Sequence, residues 1–504
     1  MAEIDDKLKQ LKARLQEIGD LNGAAAVLNW DQSTYMPTGG APARGRQMAV
    51  LARLSQEKLI DPAIGKLLDD LQPYAESLPY DDDAAALIRA TRRDYDKASK
   101  VPPAFLSEFS EHAAHAYQTW AQARPANDFK KVEPVLEKTL EMSRQLANFF
   151  PGYEHIADPL IDFADYGMKA ASVRQVFGEL REQLVPLVQA ITAQTPADDS
   201  CLKQDFPEAQ QLEFGRMVIE KFGYDFERGR QDKSHHPFTT KFSIGDVRIT
   251  TRVTENDLNQ ALFSTTHEAG HALYEQGIDP AYEGTPLDGG ASSGVHESQS
   301  RTWENIVSRS RPFWEHFYPE LQKTFPKQLG KLALDTFYRA INKVQPSLIR
   351  TDADEVTYNL HVMIRFELEI QMLEGKLAIK DLPEAWQAAY QSDLGIAAPS
   401  DVDGCLQDVH WYAGQIGGVF QGYTLGNVLS AQFYAEALKS HPEIRAEIGQ
   451  GQFGTLQTWL KDNIYRYGSK YTAPELIERV TGRGLDIRPY IQYLRAKYGE
   501  LYKL

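Results

Sequence analysis

A mainly α fold is predicted for this chain of 504 residues. Three observations lead there. Apolar residues recur at three- and four-residue spacing through most of the length. Turn signals such as Met36-Pro37-Thr38-Gly39-Gly40, Lys100-Val101-Pro102-Pro103 and Asp288-Gly289-Gly290 punctuate those stretches. A single segment alternates with period two. No long Gly/Ser/Pro linker, low-complexity tract or solenoid repeat divides the sequence, so residues 1–504 read as one large helical domain, with a bilobed shape within reach of that length.

In chain order, helical periodicity covers residues 3–29, 42–58, 82–98, 106–123, 129–148, 171–193 and 207–222. The period then changes. Residues 236–244 and 247–253 are alternating, β-branched runs around Gly245-Asp246, which is the pattern of a β-hairpin. A hairpin edge here can hold an extended peptide by main-chain hydrogen bonds; the pattern equally allows a hairpin that only covers the core. Helical spacing resumes at 257–276, where Leu258, Ala261, Leu262, Thr265, Ala269, Ala272 and Leu273 recur on one face. Thr254 followed by Asp257 resembles a capping box that would start this helix, and Gly277 offers a stop. Further helices are expected at 297–308, 329–343, 354–374, 383–392, 426–439, 442–449 and 473–482.

With 42% hydrophobic and 25% charged residues, the chain has the means to bury a substantial core, and disorder is not indicated. A net charge of -16 without a visible basic patch argues against nucleic acid or anionic membranes as partners. No run approaches a membrane span. The acidic start Met1-Ala2-Glu3-Ile4-Asp5-Asp6 lacks the basic and apolar regions of a secretory signal. Cys201 and Cys405 are too few and too far apart for a disulfide framework, so reduced thiols and a cytoplasmic location are expected.

The helix at 257–276 carries His267-Glu268-Ala269-Gly270-His271, an HExxH motif. Residues four apart share a helix face, so the two imidazoles can meet one metal while Glu268 stands beside the attacking water as general base. With 12 histidines present, chance would produce the motif in roughly one such chain in fifty, so its mid-helix context has to support it. A catalytic zinc usually takes three protein ligands. Glu297, in His296-Glu297-Ser298-Gln299-Ser300-Arg301 at the start of the next helix, is the leading third ligand, since the loop from Asp288 to Gly294 can turn that helix back on the first. Glu304, seven residues on, is the rival.

Several ordered motifs together resemble the thermostable carboxypeptidase Taq family of HExxH zinc carboxypeptidases over nearly the full length. They are Asn29-Trp30-Asp31-Gln32, Met36-Pro37-Thr38-Gly39-Gly40, His236-Pro237-Phe238, Asp246-Val247-Arg248-Ile249-Thr250, the HExxH and His296–Arg301 segments, Ile349-Arg350-Thr351-Asp352-Ala353-Asp354, and Gly404-Cys405-Leu406-Gln407-Asp408-Val409-His410-Trp411. The resemblance implies a mostly helical homodimer with a deep groove that removes single C-terminal amino acids from peptides of broad sequence, using zinc or cobalt. Carried over by position, it also implies His267, His271 and Glu297 as metal ligands and Glu268 as general base.

The tetrahedral oxyanion of such a reaction needs donors, and His410 and Tyr423 suit that role, with Tyr412 competing. A terminal carboxylate calls for the planar fork of an arginine. Arg350 is the first choice and Arg248 the second, the alternative for Arg248 being a salt bridge to Asp246. Asp352, Asp354, Arg301 and Asp408 are expected either to orient these groups or to form ordinary helix-surface ion pairs. For Trp30-Asp31-Gln32 packing is the better reading. Two rivals stay open: a zinc oligopeptidase or endopeptidase with the same chemistry, and a non-catalytic helical binding protein in which HExxH is accidental or a relic.

Overall fold

Helices start where Asp and Pro can begin them. The computed structural model describes residues 2–504. Asp61 accepts from the Ala63 amide at 2.8 Å to open the helix Pro62–Ser77, and Asp82 does the same for Asp83–Lys100. Helices run in this way from Ala2–Thr34 to Arg488–Tyr502. Periodicity did not predict Pro62–Ser77, Arg311–Thr324 or Arg488–Tyr502. Each has Pro in its first turn, and the first two also carry an interior Pro73 or Pro319, which a periodicity reading treats as a break. The short helices Asp158–Ala164 and Gly454–Asn463 were also unforeseen. Conversely, the helix expected at 329–343 shrinks to Leu334–Ile341, because the chain turns at Gly330, where a Cβ would lie 2.4 Å from the Pro326 carbonyl. The helix expected at 297–308 is α-helical at Ser293–Arg301 and π-helical at Thr302–Val307.

The expected hairpin belongs to a three-stranded sheet: β1 (Gln231–Lys233), β2 (Thr239–Ser243) and β3 (Asp246–Thr251). β3 lies in the middle, antiparallel to β2 with Thr240 opposite Arg248, and parallel to β1, a strand the sequence reading lacked. Thr251 and Gln231 fasten the sheet to the following helix through Ser264 at 2.9 Å and Thr265 at 3.0 Å. That helix, Leu258–Gly277, ends where expected, but its cap is Asp257, whose carboxylate accepts from the Asn259 amide at 3.0 Å. Thr254 instead turns its hydroxyl to Gln260, so no capping box forms.

Buried apolar side chains gather in two clusters. One joins the N-terminal helices through Leu11, Leu15, Ile64, Leu68 and Ile88 to Ile244 and Leu287; the larger holds Trp303, Trp314, Trp386 and Trp411. Trp30 packs against two arginines of the sheet region, with Arg248 4.5 Å and Arg230 5.3 Å from its ring centroid. Among the described residues, no helix is long and apolar enough to cross a membrane, and Cys201 and Cys405 are free and buried.

Three helices meet unusually closely in the larger cluster. A Cβ on Gly270 would sit 2.6 Å from the Gln299 carbonyl, so the HExxH helix touches the Ser293–Arg301 helix backbone to backbone. On the other side, a Cβ on Gly426 of the Gln421–Ser440 helix would sit 2.5 Å from Glu297 Cγ. The Ser293–Arg301 helix is thereby clamped between two glycine-lined neighbours. Gly426→Ala is accordingly expected to destabilise the fold by about 1–3 kcal/mol through overpacking, read as a lowered midpoint in denaturant unfolding; an unchanged midpoint would mean that the helices separate without cost.

Glu369 is fully buried and accepts from Trp411 Nε1 at 2.8 Å. Burial pushes its carboxyl up to about 8, against the Trp411 and Gly417 N–H groups that favour ionisation. The folded state therefore holds this proton more tightly than the unfolded chain, whose value is near 4.5. The resulting stability is complete below about pH 4.5 and is lost as pH rises towards 8. Glu369→Gln, neutral at every pH, is expected to gain melting temperature relative to the parent between pH 5 and 8. A pH-independent difference would show that Glu369 is ionised in the fold.

Candidate metal centre

One helical turn sets His267 and His271 side by side, their rings 5.0 Å apart at 79°. The clamped Ser293–Arg301 helix brings Glu297 to them: its Oε2 lies 3.4 Å from His271 Nε2 and 3.9 Å from His267 Nε2. One ligand atom from each residue falls within 4.8 Å of the others. Burial alone would raise the Glu297 carboxyl, but Arg301 and the two imidazoles hold it well below the usual range. His271 is pushed down to about 4, chiefly by burial, which keeps it neutral with a free lone pair. An ionised carboxylate facing two imidazole Nε2 atoms in a buried pocket is the donor set of a divalent-cation site, and these residues fit one.

The surroundings fix each of these groups. Arg301 donates to Glu297 Oε1 at 2.7 Å and to Glu304 at 3.0 Å. Glu304 lies behind His267, its Oε2 2.9 Å from Nδ1, and faces away from the cluster of three ligand atoms. His267 is raised, since Glu297 and Glu304 outweigh the effect of burial. Glu268 is buried next to the cluster, where its Oε2 accepts from Thr239 of β2 at 2.6 Å. Burial pushes its carboxyl upwards. Sequence reasoning missed Thr239 as the partner of Glu268; its only signal was its place on the hairpin next to the HExxH helix.

A cleft of about 2030 Å³ opens over this cluster and is also lined by His236, Phe238, Arg350, Asp352, His410 and Tyr423. His410 Nδ1 bonds Asp408, and its Nε2 lies 3.4 Å from the Tyr423 hydroxyl. Asp408 also accepts from Arg350 Nε at 2.8 Å and Arg365 Nε at 2.9 Å. Arg350 reaches the Tyr358 hydroxyl at 3.0 Å and packs over the Tyr423 ring at 5.2 Å. Burial, with the nearby charges of Arg252 and Arg350, pushes the His236 imidazole below its ordinary value. The His236-Pro237-Phe238 motif was visible in the sequence, but nothing local gave it a role.

Other predicted residues lie elsewhere. Arg248 forms a two-pronged pair with Asp246 at 2.8 and 2.7 Å, stacks on Trp30 and Phe242, and stays out of the cleft lining. Tyr412 is buried, stacked on Trp120 at 5.8 Å, and also outside the lining. Asp354 lines the cleft but caps its own turn, accepting from the Thr357 amide at 3.0 Å.

Known proteins resemble this chain along its whole length. Residues 10–498 match the profile of the carboxypeptidase Taq (M32) metallopeptidases. Thermostable carboxypeptidase 1 of Thermus thermophilus is 40% identical, with 97% of each chain covered. Carboxypeptidase 1 of Bacillus subtilis is 36% identical over the whole of both chains. The crystal structure of the M32 carboxypeptidase from Deinococcus radiodurans R1 superimposes with a TM-score of 0.96 at 52% identity, covering 99% of this chain and 100% of that one. A divalent metal and peptide substrates accompany such a membership. The cleft, its buried donor cluster and these likenesses along the whole sequence lead to one conclusion: the chain belongs to the carboxypeptidase Taq (M32) family of metallocarboxypeptidases.

Proposed function

We propose that this protein is a cytoplasmic, homodimeric zinc carboxypeptidase, a single domain over residues 1–504, that releases single C-terminal amino acids from peptides of broad sequence. The observation that carries the reading is the His267, His271 and Glu297 donor cluster, with Glu268 beside it, inside a cleft that Arg350 also lines. The two free, buried cysteines agree with a reducing compartment. The dimer rests on the family resemblance, and the single domain on a family match that runs from residue 10 to 498. Cobalt is expected to replace zinc.

His267, His271 and Glu297 would hold the metal, which would supply Lewis-acid activation of water and polarisation of the scissile carbonyl. Glu268, whose carboxyl burial has raised, takes the proton of the attacking water and returns it to the departing amine. Thr239 keeps that carboxylate aimed. Tyr423 donates to the oxygen that becomes negative, and His410 does so in the form protonated on both ring nitrogens, its Nδ1–H held by Asp408 from behind. Arg350 binds the substrate carboxylate. Nε, Nη1 and Nη2 each spend one N–H on Asp408 or Tyr358, which leaves two of five guanidinium donors for a ligand. Arg248, committed to Asp246, is the weaker anchor.

Glu268→Gln is expected to cut kcat by about 10²–10⁴-fold while metal analysis still finds one divalent ion per chain; full activity would remove Glu268 from the chemistry. Chelation should abolish hydrolysis, and zinc or cobalt should restore it.

The anchor separates an exopeptidase from an endopeptidase. Peptides with a free C-terminus should be cut far faster than their C-terminal amides, with single amino acids as the first products. Arg350→Lys, which keeps the charge but loses the fork, should lower kcat/KM for the free acid by at least ~30-fold, about 2 kcal/mol, and narrow the acid-to-amide ratio. Early internal fragments would instead favour the endopeptidase.

A further inference from the structure

The two metal-facing histidines have unlike partners on their outer nitrogens. His267 Nδ1 meets the Glu304 carboxylate directly. His271 Nδ1 meets a second imidazole, with His296 Nδ1 only 2.6 Å away. At that separation one nitrogen must carry the proton and the other the lone pair, because two facing N–H groups would repel and collide. A histidine that offers Nε2 to a metal carries its proton on Nδ1. His271 is therefore the donor, and His296 accepts at Nδ1.

The rest of the chain of contacts agrees with that assignment. His296 then carries its proton on Nε2, which lies 2.7 Å from Glu275 Oε1, a carboxylate that can only accept. The other Glu275 oxygen pairs with Lys241 of β2 at 2.6 Å, and Lys241 reaches Asp288 at 2.7 Å. Burial favours a neutral Glu275, but His296 and Lys241 hold it ionised, at about 2. The imidazole is also seated sterically. Tyr274 lies 5.1 Å from it, and a Cβ on Gly290 would come within 2.6 Å of its Cδ2. Gly290 is the gap that this ring fills.

We propose that His296 is a positioning residue of the metal centre: as the neutral Nε2–H tautomer backed by Glu275 and Lys241, it accepts the His271 Nδ1–H and commits His271 Nε2 to the metal. This rests on the ligand set proposed above. Glu275 thus serves His271 at one remove, as Glu304 serves His267 directly.

The test is zinc affinity, measured by chelator competition on the full-length protein. His296→Phe keeps a ring but removes the acceptor and should weaken zinc binding about 10–100-fold. His296→Asn places an amide oxygen where Nδ1 stood and should recover most of that loss. Equal affinity of His296→Phe and the parent, or equal weakening by both variants, would overturn the proposal. A second measurement needs no variant: a long-range ¹H–¹⁵N histidine spectrum of the zinc-loaded parent should show His296 protonated at Nε2 and bare at Nδ1. A protonated His296 Nδ1 would overturn the inference even where His296→Phe fails to fold. A parent protein that binds no zinc refutes the ligand set itself, whereas a zinc-binding parent with an indifferent His296 refutes only the positioning role.

Discussion

Everything in the site depends on the close passage of the Ser293–Arg301 helix between its two neighbours. Helix axes normally stay 8–10 Å apart because side chains fill the space between them. Here Gly270 and Gly426 remove the side chains at two points of close approach. The second residue x of HExxH is therefore part of the packing, and the motif's geometry and its proposed third ligand are linked by one backbone contact. A larger residue at either place would move the Glu297 carboxylate relative to two imidazoles whose own spacing the helix has already set.

Such burial collects charges that would be costly alone. Glu297, Glu304, Arg301 and Arg309 crowd behind and beside His267, and Arg301 and Glu304 each pair with more than one of the others. The opposite wall uses the same device. Asp408 is held far below the carboxylate range, because His410, Arg365 and Arg350 together overcome its burial. Two groups of the cleft wall and the fully buried Arg365 are thus tied to one carboxylate, which fixes His410 and Arg350 relative to each other. Glu369 beneath them takes the other solution to burial and keeps its proton.

Local pattern made part of this legible. The HExxH helix showed its period, the hairpin its alternation around Gly245-Asp246, and Glu297 its place on a helix that a Gly-rich loop could return. What stayed hidden depends on contacts between distant segments. Nothing near Gly426 says that it will face Glu297, and nothing near Lys241 says that it will pair with Glu275. β1 is three residues long and parallel to β3, too short to carry a period of its own. The missed helices failed for a local reason, since proline early in a helix is a start signal that also resembles a break. Arg248 shows the limit of residue-type reasoning: an arginine fork suits a terminal carboxylate, but it suits Asp246, two residues away, equally well.

The edge strand β2 ties the proposed acid–base and metal-binding halves of the site together. Alternate residues of a strand share a face, and Thr239 and Lys241 are such a pair. Thr239 reaches Glu268, while Lys241 reaches Glu275, seven residues and about two turns further along the HExxH helix. One strand therefore holds the carboxylate proposed to move the proton and, through Glu275, the His296 imidazole behind the ligand cluster. A shift of β2 along the helix cannot disturb one without the other. The sheet is small because its task is local: three strands suffice to keep two side chains in register with one helix, and β3 and β1 anchor that register through Ser264 and Thr265.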